Sequence, residues 1–280
     1  MRLTFCGVRG STPAPGVAYL RYGGSTSCVA VQARDEPIRL ILDAGTGIGA
    51  VTGLLDAPYD GTILLGHLHW DHTHGLPFFG AGGRQGSSVH VLLPAQGAPA
   101  EDVLKRAFSP PHFPIEPAQL GAGWTFGDLE EGVRQIGDFE VLAREIPHKG
   151  GRTFGYRVSS GGRSIAYLSD HSPTSAGPGP DGLGERHEAA LALADGVDVL
   201  IHDAQHRADE FPGVEYLGHA SAEYTVALAA EAGARTAVLF HHAPSRTDDA
   251  VDQILQSVQQ PGLRVLAAYE GLVLNLDDLG

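Results

Sequence analysis

Short runs of apolar residues, some continuous and some alternating with polar residues, recur along the whole chain. Residues 62–66 read Thr-Ile-Leu-Leu-Gly, and residues 38–42 read Ile-Arg-Leu-Ile-Leu. Continuous apolar runs of this length predict buried strands, and alternating runs predict strands with one exposed face. The predicted strands cover 2–8, 28–32, 38–42, 62–66, 89–93, 139–146, 154–158, 164–168, 197–201, 237–240 and 264–276.

Helical spacing of apolar residues appears between some of these runs. The predicted helices cover 47–55, 100–107, 185–193, 221–232 and 248–258. This mixture predicts an α/β fold in which helices cover the faces of sheets. Turn signals such as those at 160–162 and 172–184 interrupt the pattern, but no polar linker is long enough to divide the chain. We therefore expect a single domain over residues 1–280.

The composition is typical of a soluble protein, with 42% hydrophobic and 19% charged residues among 280. No stretch approaches the roughly 20 consecutive apolar residues of a membrane-spanning helix. Residues 1–7 lack the longer apolar region and the small-residue cleavage site of a signal peptide, and are predicted to form a first strand. We therefore expect a cytoplasmic protein with no membrane association.

Cysteine content and charge narrow the candidate chemistry. Cys6 and Cys28 are too few for a disulfide framework or a thiolate-rich zinc site. The formal net charge of −14 repels polyanions at long range and argues against nucleic acid as a partner. The 14 histidines are unusual, because histidine is a frequent metal ligand and a neutral-pH acid or base. Any metal ion is therefore expected to be held mainly by histidine and aspartate.

Residues 67–72 read His-Leu-His-Trp-Asp-His and directly follow the predicted strand at 62–66. This combination is rare by chance, and the loop after a buried strand is a good scaffold for ligands. The first two histidines can face one metal ion while Asp71 and His72 turn toward a second ion. Two divalent ions about 3.5–4 Å apart lower the pKa of a bridging water and stabilise both the attacking and the leaving oxygen. The segment therefore predicts part of a binuclear metal site.

The loop at 67–72, followed by Gly-Leu-Pro-Phe-Phe at 75–79, resembles the signature loop of the metallo-β-lactamase superfamily. The later motifs of that superfamily are matched in order by His148, Asp170 and His241, each at the end of a predicted strand. The resemblance implies an αββα sandwich and a hydrolase with two divalent metal ions at one edge. It implies that His67, His69 and His148 hold one ion, that Asp71, His72 and His241 hold the other, and that Asp170 bridges them.

His241 and His242 compete for one ligand position. Successive side chains of a strand point to opposite faces, so only one of the two can readily face the metal site. We favour His241. His242 would then support a ligand or contact a phosphate.

The segments Leu-Ile-His-Asp-Ala at 200–204 and Gly-His-Ala-Ser at 218–221 resemble paired motifs of the ribonuclease Z and phosphodiesterase branch. This resemblance implies that His219 is the general acid for the leaving oxygen and that Asp203 orients it. A departing alkoxide benefits from such protonation. The branch usually has glutamate in place of Asp203, and helix capping is the alternative role for His219. The predicted catalytic residues are Asp71, Asp203 and His219.

Other segments are candidates for supporting roles. Asp43 resembles a superfamily residue behind the metal loop and is expected to orient a ligand histidine. The glycine-rich runs 7–13 and 23–28 resemble the first strand and turn of the branch, with Ser25 where asparagine is usual. They would donate N–H groups to phosphate oxygens or form plain tight turns. The aromatic loop 108–116 would line a substrate pocket or have no role. Surface or supporting positions are expected for His74, His90, His112, His171, His187, His202 and His206.

The predicted function is metal-dependent hydrolysis of a small or cyclic phosphodiester, such as a cyclic nucleotide. A tRNA 3′-processing nuclease is less favoured, because the RNA-binding arm of that branch would lie between His148 and Asp170, and this stretch is short here. The second hypothesis is hydrolysis of a lactone, thioester or β-lactam, and the third is a metal-holding binding protein without catalysis. Zinc is the expected metal, with manganese or iron as alternatives. Homodimer formation is left open.

Overall fold

The computed structural model describes residues 1–279. The strands are β1 (Arg2–Gly7), β2 (Cys28–Gln32), β3 (Ile38–Leu42), β4 (Asp60–Leu64), β5 (Ser88–Pro94), β6 (Trp124–Leu129), β7 (Gly132–Ile136), β8 (Phe139–Glu145), β9 (Phe154–Ser160), β10 (Arg163–Leu168), β11 (Val199–Asp203), β12 (Thr236–Phe240), β13 (Arg264–Ala267) and β14 (Val273–Asn275). The α-helices are α1 (Ile48–Val51), α2 (Trp70–Thr73), α3 (Ala100–Lys105), α4 (Glu188–Ala194), α5 (Ala222–Glu231) and α6 (Asp248–Ser257).

The strands form two seven-stranded mixed sheets, ordered β14-β1-β2-β3-β4-β5-β6 and β13-β12-β11-β10-β9-β8-β7. Neighbours from β3 to β6 and from β10 to β13 are parallel. The remaining neighbours are antiparallel. Within each sheet, the carboxyl ends of the parallel strands lie at the same edge, where ligands commonly bind.

Three apolar clusters give the molecule four layers. The central cluster lies between the sheets and packs Phe5 and Leu64 of the first sheet with Tyr167 and Phe240 of the second. The outer clusters hold α1 and α3 against the first sheet, and α4, α5 and α6 against the second. Burial of these apolar faces drives the layers together. The predicted αββα sandwich is confirmed, whereas the single-domain assignment stays a prediction.

The strand predictions need two corrections. The run 264–276 is predicted as one strand, but it forms β13 in the second sheet and β14 in the first. Gly271 lies between them with φ +87°, a conformation that favours glycine and lets the chain turn from one sheet to the other. The sequence analysis also missed β6 and β7, which are edge strands with exposed positions on both faces. Their exposure weakens the apolar pattern on which the predictions rest.

The long helices begin at side-chain caps, as their sequences favour. The hydroxyl of Ser221 accepts a hydrogen bond from the N–H of Tyr224 at the start of α5, and Thr247 does the same for Ala250 at the start of α6. Across residues 1–279, no helix combines the length and the apolar composition that crossing a bilayer requires.

Candidate metal centre

The predicted ligands come together at the edge of the sandwich where the parallel strands end. His67 follows β4, Asp170 follows β10 and His241 follows β12. The short helix α2 carries Asp71 and His72 on one turn. The complete set consists of His67, His69, Asp71, His72, His148, Asp170 and His241.

The first group of ligand atoms belongs to His67, His69 and His148, whose ring nitrogens lie within 4.8 Å of one another. Nε2 of His148 is 3.4 Å from Nδ1 of His69. Burial lowers the pKa of all three imidazoles. Each ring is therefore held in the neutral form, which is the form that binds a metal ion.

The second group consists of Asp71, His72, Asp170 and His241. Nε2 of His72 lies 3.0 Å from Oδ2 of Asp170 and 3.2 Å from Oδ2 of Asp71. Nε2 of His241 lies 3.0 Å from Oδ2 of Asp71 and 3.3 Å from Oδ1 of Asp170. Oδ1 of Asp170 is also 3.7 Å from Nε2 of His67, so this carboxylate stands between the two groups.

The donor atoms fit divalent cations. Among residues 1–279, neither ring nitrogen of His67 has a hydrogen-bond partner, and the oxygens of Asp170 face only histidine nitrogens that are themselves candidate ligands, although both side chains are buried. Buried polar atoms without partners are unfavourable, because they have lost their hydrogen bonds to water. Metal ions at the two groups would satisfy these atoms, and histidine with carboxylate suits zinc, manganese or iron.

His241 faces the ligand groups and His242 does not. The backbone of His241 has φ +58°, which interrupts the strand geometry directly after β12. The ring of His242 is buried on the other side of this turn, where Nε2 donates to the carbonyl of Ala268 at 2.9 Å. The predicted phosphate contact by His242 therefore finds no support in the geometry.

Gly10 lets the loop after β1 lie directly against His241. A Cβ at this position would stand 2.3 Å from the His241 ring and 2.6 Å from Nε2 of Gln205. We expect Gly10→Ala to displace His241, lower the metal content and reduce kcat about 100-fold, since misplacing a catalytic group by about 1 Å has effects of this size. Gly83→Ala, whose Cβ would have no atom within 4 Å, is the matched control. Metal analysis and kinetics of both variants test this, and an unchanged metal content in Gly10→Ala would contradict it.

Asp43 supports His72 from behind the ligand groups. Its Oδ2 lies 2.7 Å from Nδ1 of His72 and accepts hydrogen bonds from the hydroxyls of Tyr167 at 2.7 Å and Ser169 at 3.1 Å. Its Oδ1 accepts the N–H of Gly66 at 2.7 Å. The carboxylate holds the proton of His72 on Nδ1 and leaves Nε2 free for a metal ion. This geometry is the one expected for the predicted supporting role.

The predicted acid, His219, stands beside the second group. Its Nδ1 donates to Oδ2 of Asp203 at 2.8 Å, which leaves Nε2 as the second donor of the ring. His219 lines a cavity of about 450 Å³ together with Asp71 and Asp170. Burial lowers the pKa of His219, but the charge and hydrogen bond of Asp203 outweigh burial and raise this pKa to about 9. A protonated imidazole therefore forms part of the cavity wall at neutral pH.

Asp203 reaches His219 although it is shorter than glutamate. It ends β11, and its carboxylate is held by the N–H groups of His171 and Gln205, each at 3.1 Å. The capping residue of α5 is Ser221, so the alternative capping role for His219 is wrong. The carboxylate that orients His219 is therefore fixed in place by the end of a buried strand.

Two polar residues beside the ligands were missed by the sequence analysis. The N–H of Ser11 donates to Oδ2 of Asp71 at 2.6 Å. Nε2 of Gln205 lies 3.2 Å from Nδ1 of His241 and donates to the Ser11 hydroxyl at 3.3 Å. Ser11 belongs to the glycine-rich run 7–13, so that run supports a ligand carboxylate. Nothing in the sequence singled out Gln205 except that it follows the Asp203 motif closely.

Histidines that match no motif occupy two kinds of position. His171 and His202 are buried behind Asp203, where their rings share a hydrogen bond of 3.0 Å. His74 and His90 are exposed. Both placements were expected.

The loop 108–116 lies at the rim of a cavity that adjoins the candidate metal centre. This cavity has a volume of about 520 Å³ and largely aromatic walls, including Phe78, Phe108, His112 and Phe113. His74 also lines it, and the exposed ring of Trp70 stacks on His74 at 5.3 Å. Trp70 in turn lines the cavity of the ligand groups. The stacked rings of Trp70 and His74 therefore lie between the two cavities.

Comparisons with known proteins agree with this arrangement. A family model described as a beta-lactamase superfamily domain matches residues 39–242, a range that includes every ligand position. Ribonuclease BN of Salmonella typhimurium is 27% identical over 228 residues, covering 67% of this chain and 72% of that protein. The metallo-beta-lactamase fold protein YhfI from Bacillus subtilis has a TM-score of 0.72 at 17% identity, over 98% of this chain and 99% of that chain. A diphosphatase from the PhnP family has a TM-score of 0.66 at 19% identity, over 98% and 97% of the two chains.

Proposed function

Because the chain belongs to the metallo-β-lactamase superfamily and is a metal-dependent hydrolase, we propose that it hydrolyses a small phosphodiester such as a cyclic nucleotide. The two ligand groups would hold two divalent ions, zinc first among the candidates, and Asp170 would bridge them. Such ions, when bound, lower the pKa of water and stabilise the charge of the transition state.

The observation that carries this proposal is the pair formed by Asp203 and His219. A phosphodiester expels an alkoxide, which is a poor leaving group unless it receives a proton. His219 is held by Asp203 at 2.8 Å and lines the same cavity as Asp71 and Asp170, so it can give a proton to an oxygen bound there. A thioester expels a thiolate, which leaves without protonation, so a thioesterase would not need this pair.

The stretch between His148 and Asp170 supports a small substrate. It is occupied by β9 and β10, which pair through a tight turn at Gly161 and Gly162, and it has no room for a protruding arm. The net charge of −14 also repels long polyanions. Ribonuclease BN is a nuclease by name, so RNA processing is the alternative that a substrate test must include.

Replacement of His219 by alanine is expected to slow hydrolysis according to how much the leaving group needs a proton. With 3′,5′-cyclic AMP, which expels an alkoxide, kcat is expected to fall about 10²–10⁴-fold. With bis(p-nitrophenyl) phosphate, which expels a stable phenolate, the fall is expected to stay below about tenfold. Steady-state kinetics on both substrates measure this difference. Asp203→Asn is expected to give the same pattern with a smaller loss.

His90→Ala is the matched control, because His90 is an exposed histidine on β5 that hydrogen-bonds to Thr125. An equal loss on both substrates in His219→Ala would contradict the acid role. Wild-type activity on a lactone or thioester with none on either phosphodiester would favour the second hypothesis, and cleavage of precursor tRNA would favour a nuclease. Activity that resists a chelator would contradict the metal mechanism.

A further inference from the structure

A separate cavity of about 320 Å³ lies beside the first ligand group, with His67 and Trp70 in its wall. Three cationic side chains line it, and its described lining contains no carboxylate; the cations are Arg106, Lys149 and Arg152. The chain as a whole has 33 acidic and only 19 basic residues, so a cavity with cations alone departs from the rest of the molecule. We call this cavity the cationic pocket.

Two of the three cations in the cationic pocket have no carboxylate partner among residues 1–279, and the ammonium of Lys149 lies over the exposed ring of Tyr216 at 5.7 Å. Arg152 is paired with Glu130 and Glu145, at 2.9 Å each. Arg106 and Lys149 are exposed and form no ion pair within the part of the chain that the structure describes. The net positive charge of the pocket is therefore available to an anion.

The lining of the cationic pocket also contains an unsatisfied buried hydroxyl. Thr153 is 2% exposed, and its Oγ1 has no hydrogen-bond partner among residues 1–279. Its Oγ1 is closed off from solvent, so it is not itself a donor to a ligand in the cavity. The segment that carries Lys149 packs closely against the first ligand group. A Cβ on the next residue, Gly150, would lie only 2.7 Å from Nε2 of His69, and its φ of +84° also favours glycine.

The cationic pocket adjoins the cavity of the ligand groups. Leu68 and Trp70 line both cavities, so a group in the pocket and a phosphodiester at the metal centre are separated by one layer of side chains.

We propose that the cationic pocket binds a second phosphate group of the substrate, with Arg106 and Lys149 as its donors. This inference rests on the proposed phosphodiesterase function and names its substrate class, a phosphodiester that bears a further phosphate. Charged donors form strong hydrogen bonds with phosphate, and the acidic remainder of the surface disfavours anions elsewhere.

A matched pair of substrates tests the proposal with the metal-loaded enzyme. The pair is thymidine 5′-(p-nitrophenyl phosphate) with and without a 3′-phosphate. Wild-type kcat/KM is expected to be about tenfold or more higher for the 3′-phosphorylated substrate. The double variant Arg106→Gln, Lys149→Gln is expected to lose this preference, so that kcat/KM for the 3′-phosphorylated substrate falls to the value for the unphosphorylated one. Lys105→Gln is the control, because Lys105 precedes Arg106 in sequence but is paired with Glu101 and does not line the pocket.

A wild-type enzyme without preference, or a preference that persists in the double variant, would overturn the pocket and leave the proposed function intact. If neither substrate is cleaved, the proposed function fails and calorimetry still tests the pocket. In that case the wild type is expected to bind thymidine 3′,5′-bisphosphate about tenfold more tightly than thymidine 5′-monophosphate, and the double variant is expected to bind them equally. Equal Kd values in the wild type would overturn the proposal.

Discussion

Replacement of Asp170 by asparagine is expected to lower kcat about a thousandfold or more and to release metal. The two oxygens of Asp170 face both ligand groups, with Oδ2 3.0 Å from Nε2 of His72 and Oδ1 3.7 Å from Nε2 of His67. An amide keeps the shape of the side chain but loses its charge and one acceptor, so it cannot bridge two cations. Elemental analysis is expected to give about two metal ions per wild-type chain and fewer than about one in the variant.

Asp198→Asn is the matched control for this change. Asp198 is also a buried carboxylate, but it pairs with Arg163 at 3.2 Å and accepts the N–H of Ser164 at 2.9 Å, outside the ligand groups. We expect normal metal content in this control, with some loss of stability. Wild-type kcat and metal content in Asp170→Asn would show that Asp170 does not bridge the ions.

Replacement of Asp43 by alanine is expected to have the largest effect on stability, lowering the free energy of unfolding by about 3–5 kcal/mol. The substitution removes the acceptor of four buried donors, on Gly66, His72, Tyr167 and Ser169. Each donor would remain buried without a partner, which costs more than the hydrogen bond itself contributes. Urea-induced unfolding in the presence of a chelator measures the effect without a contribution from metal binding.

Asp43→Asn separates the stability of the fold from the affinity for metal. Asparagine tolerates the backbone of this residue, which has φ +60°, and keeps one acceptor, so its loss of stability is expected to be smaller than that of alanine. Metal affinity is still expected to fall about 10–100-fold, because His72 loses the charge that orients it. Asp60→Ala is the control, since Asp60 is exposed and its ion pair with Arg39 contributes at most about 1 kcal/mol. Stability of Asp43→Ala within about 0.5 kcal/mol of the wild type would contradict this account.

Short local motifs predicted the candidate ligand set, and their resemblance to a known superfamily predicted the fold. The run 67–72 concentrates ligands in six consecutive positions, and His148, Asp170 and His241 each follow an apolar strand. That they would meet in space was implied by the resemblance to the superfamily, and for Asp170 and His241 the structure gives the reason, since they follow parallel strands that end at the same edge. Edge strands such as β6 escaped prediction, because exposure on both faces removes the periodic signal.

Several contacts that position the candidate ligands were found only in the tertiary structure. The choice between His241 and His242 depends on a single backbone turn with φ +58°, which apolar periodicity does not report. Gln205 contacts Ser11 across 194 positions, and Arg106 shares a pocket with Lys149 through the packing of separate layers. Periodicity records whether a segment is buried, whereas these contacts depend on which distant segment is packed beside it. The candidate metal ligands and the supporting carboxylates Asp43 and Asp203 were therefore predicted from the sequence, whereas Gln205, the N–H of Ser11 and the cationic pocket required the folded molecule.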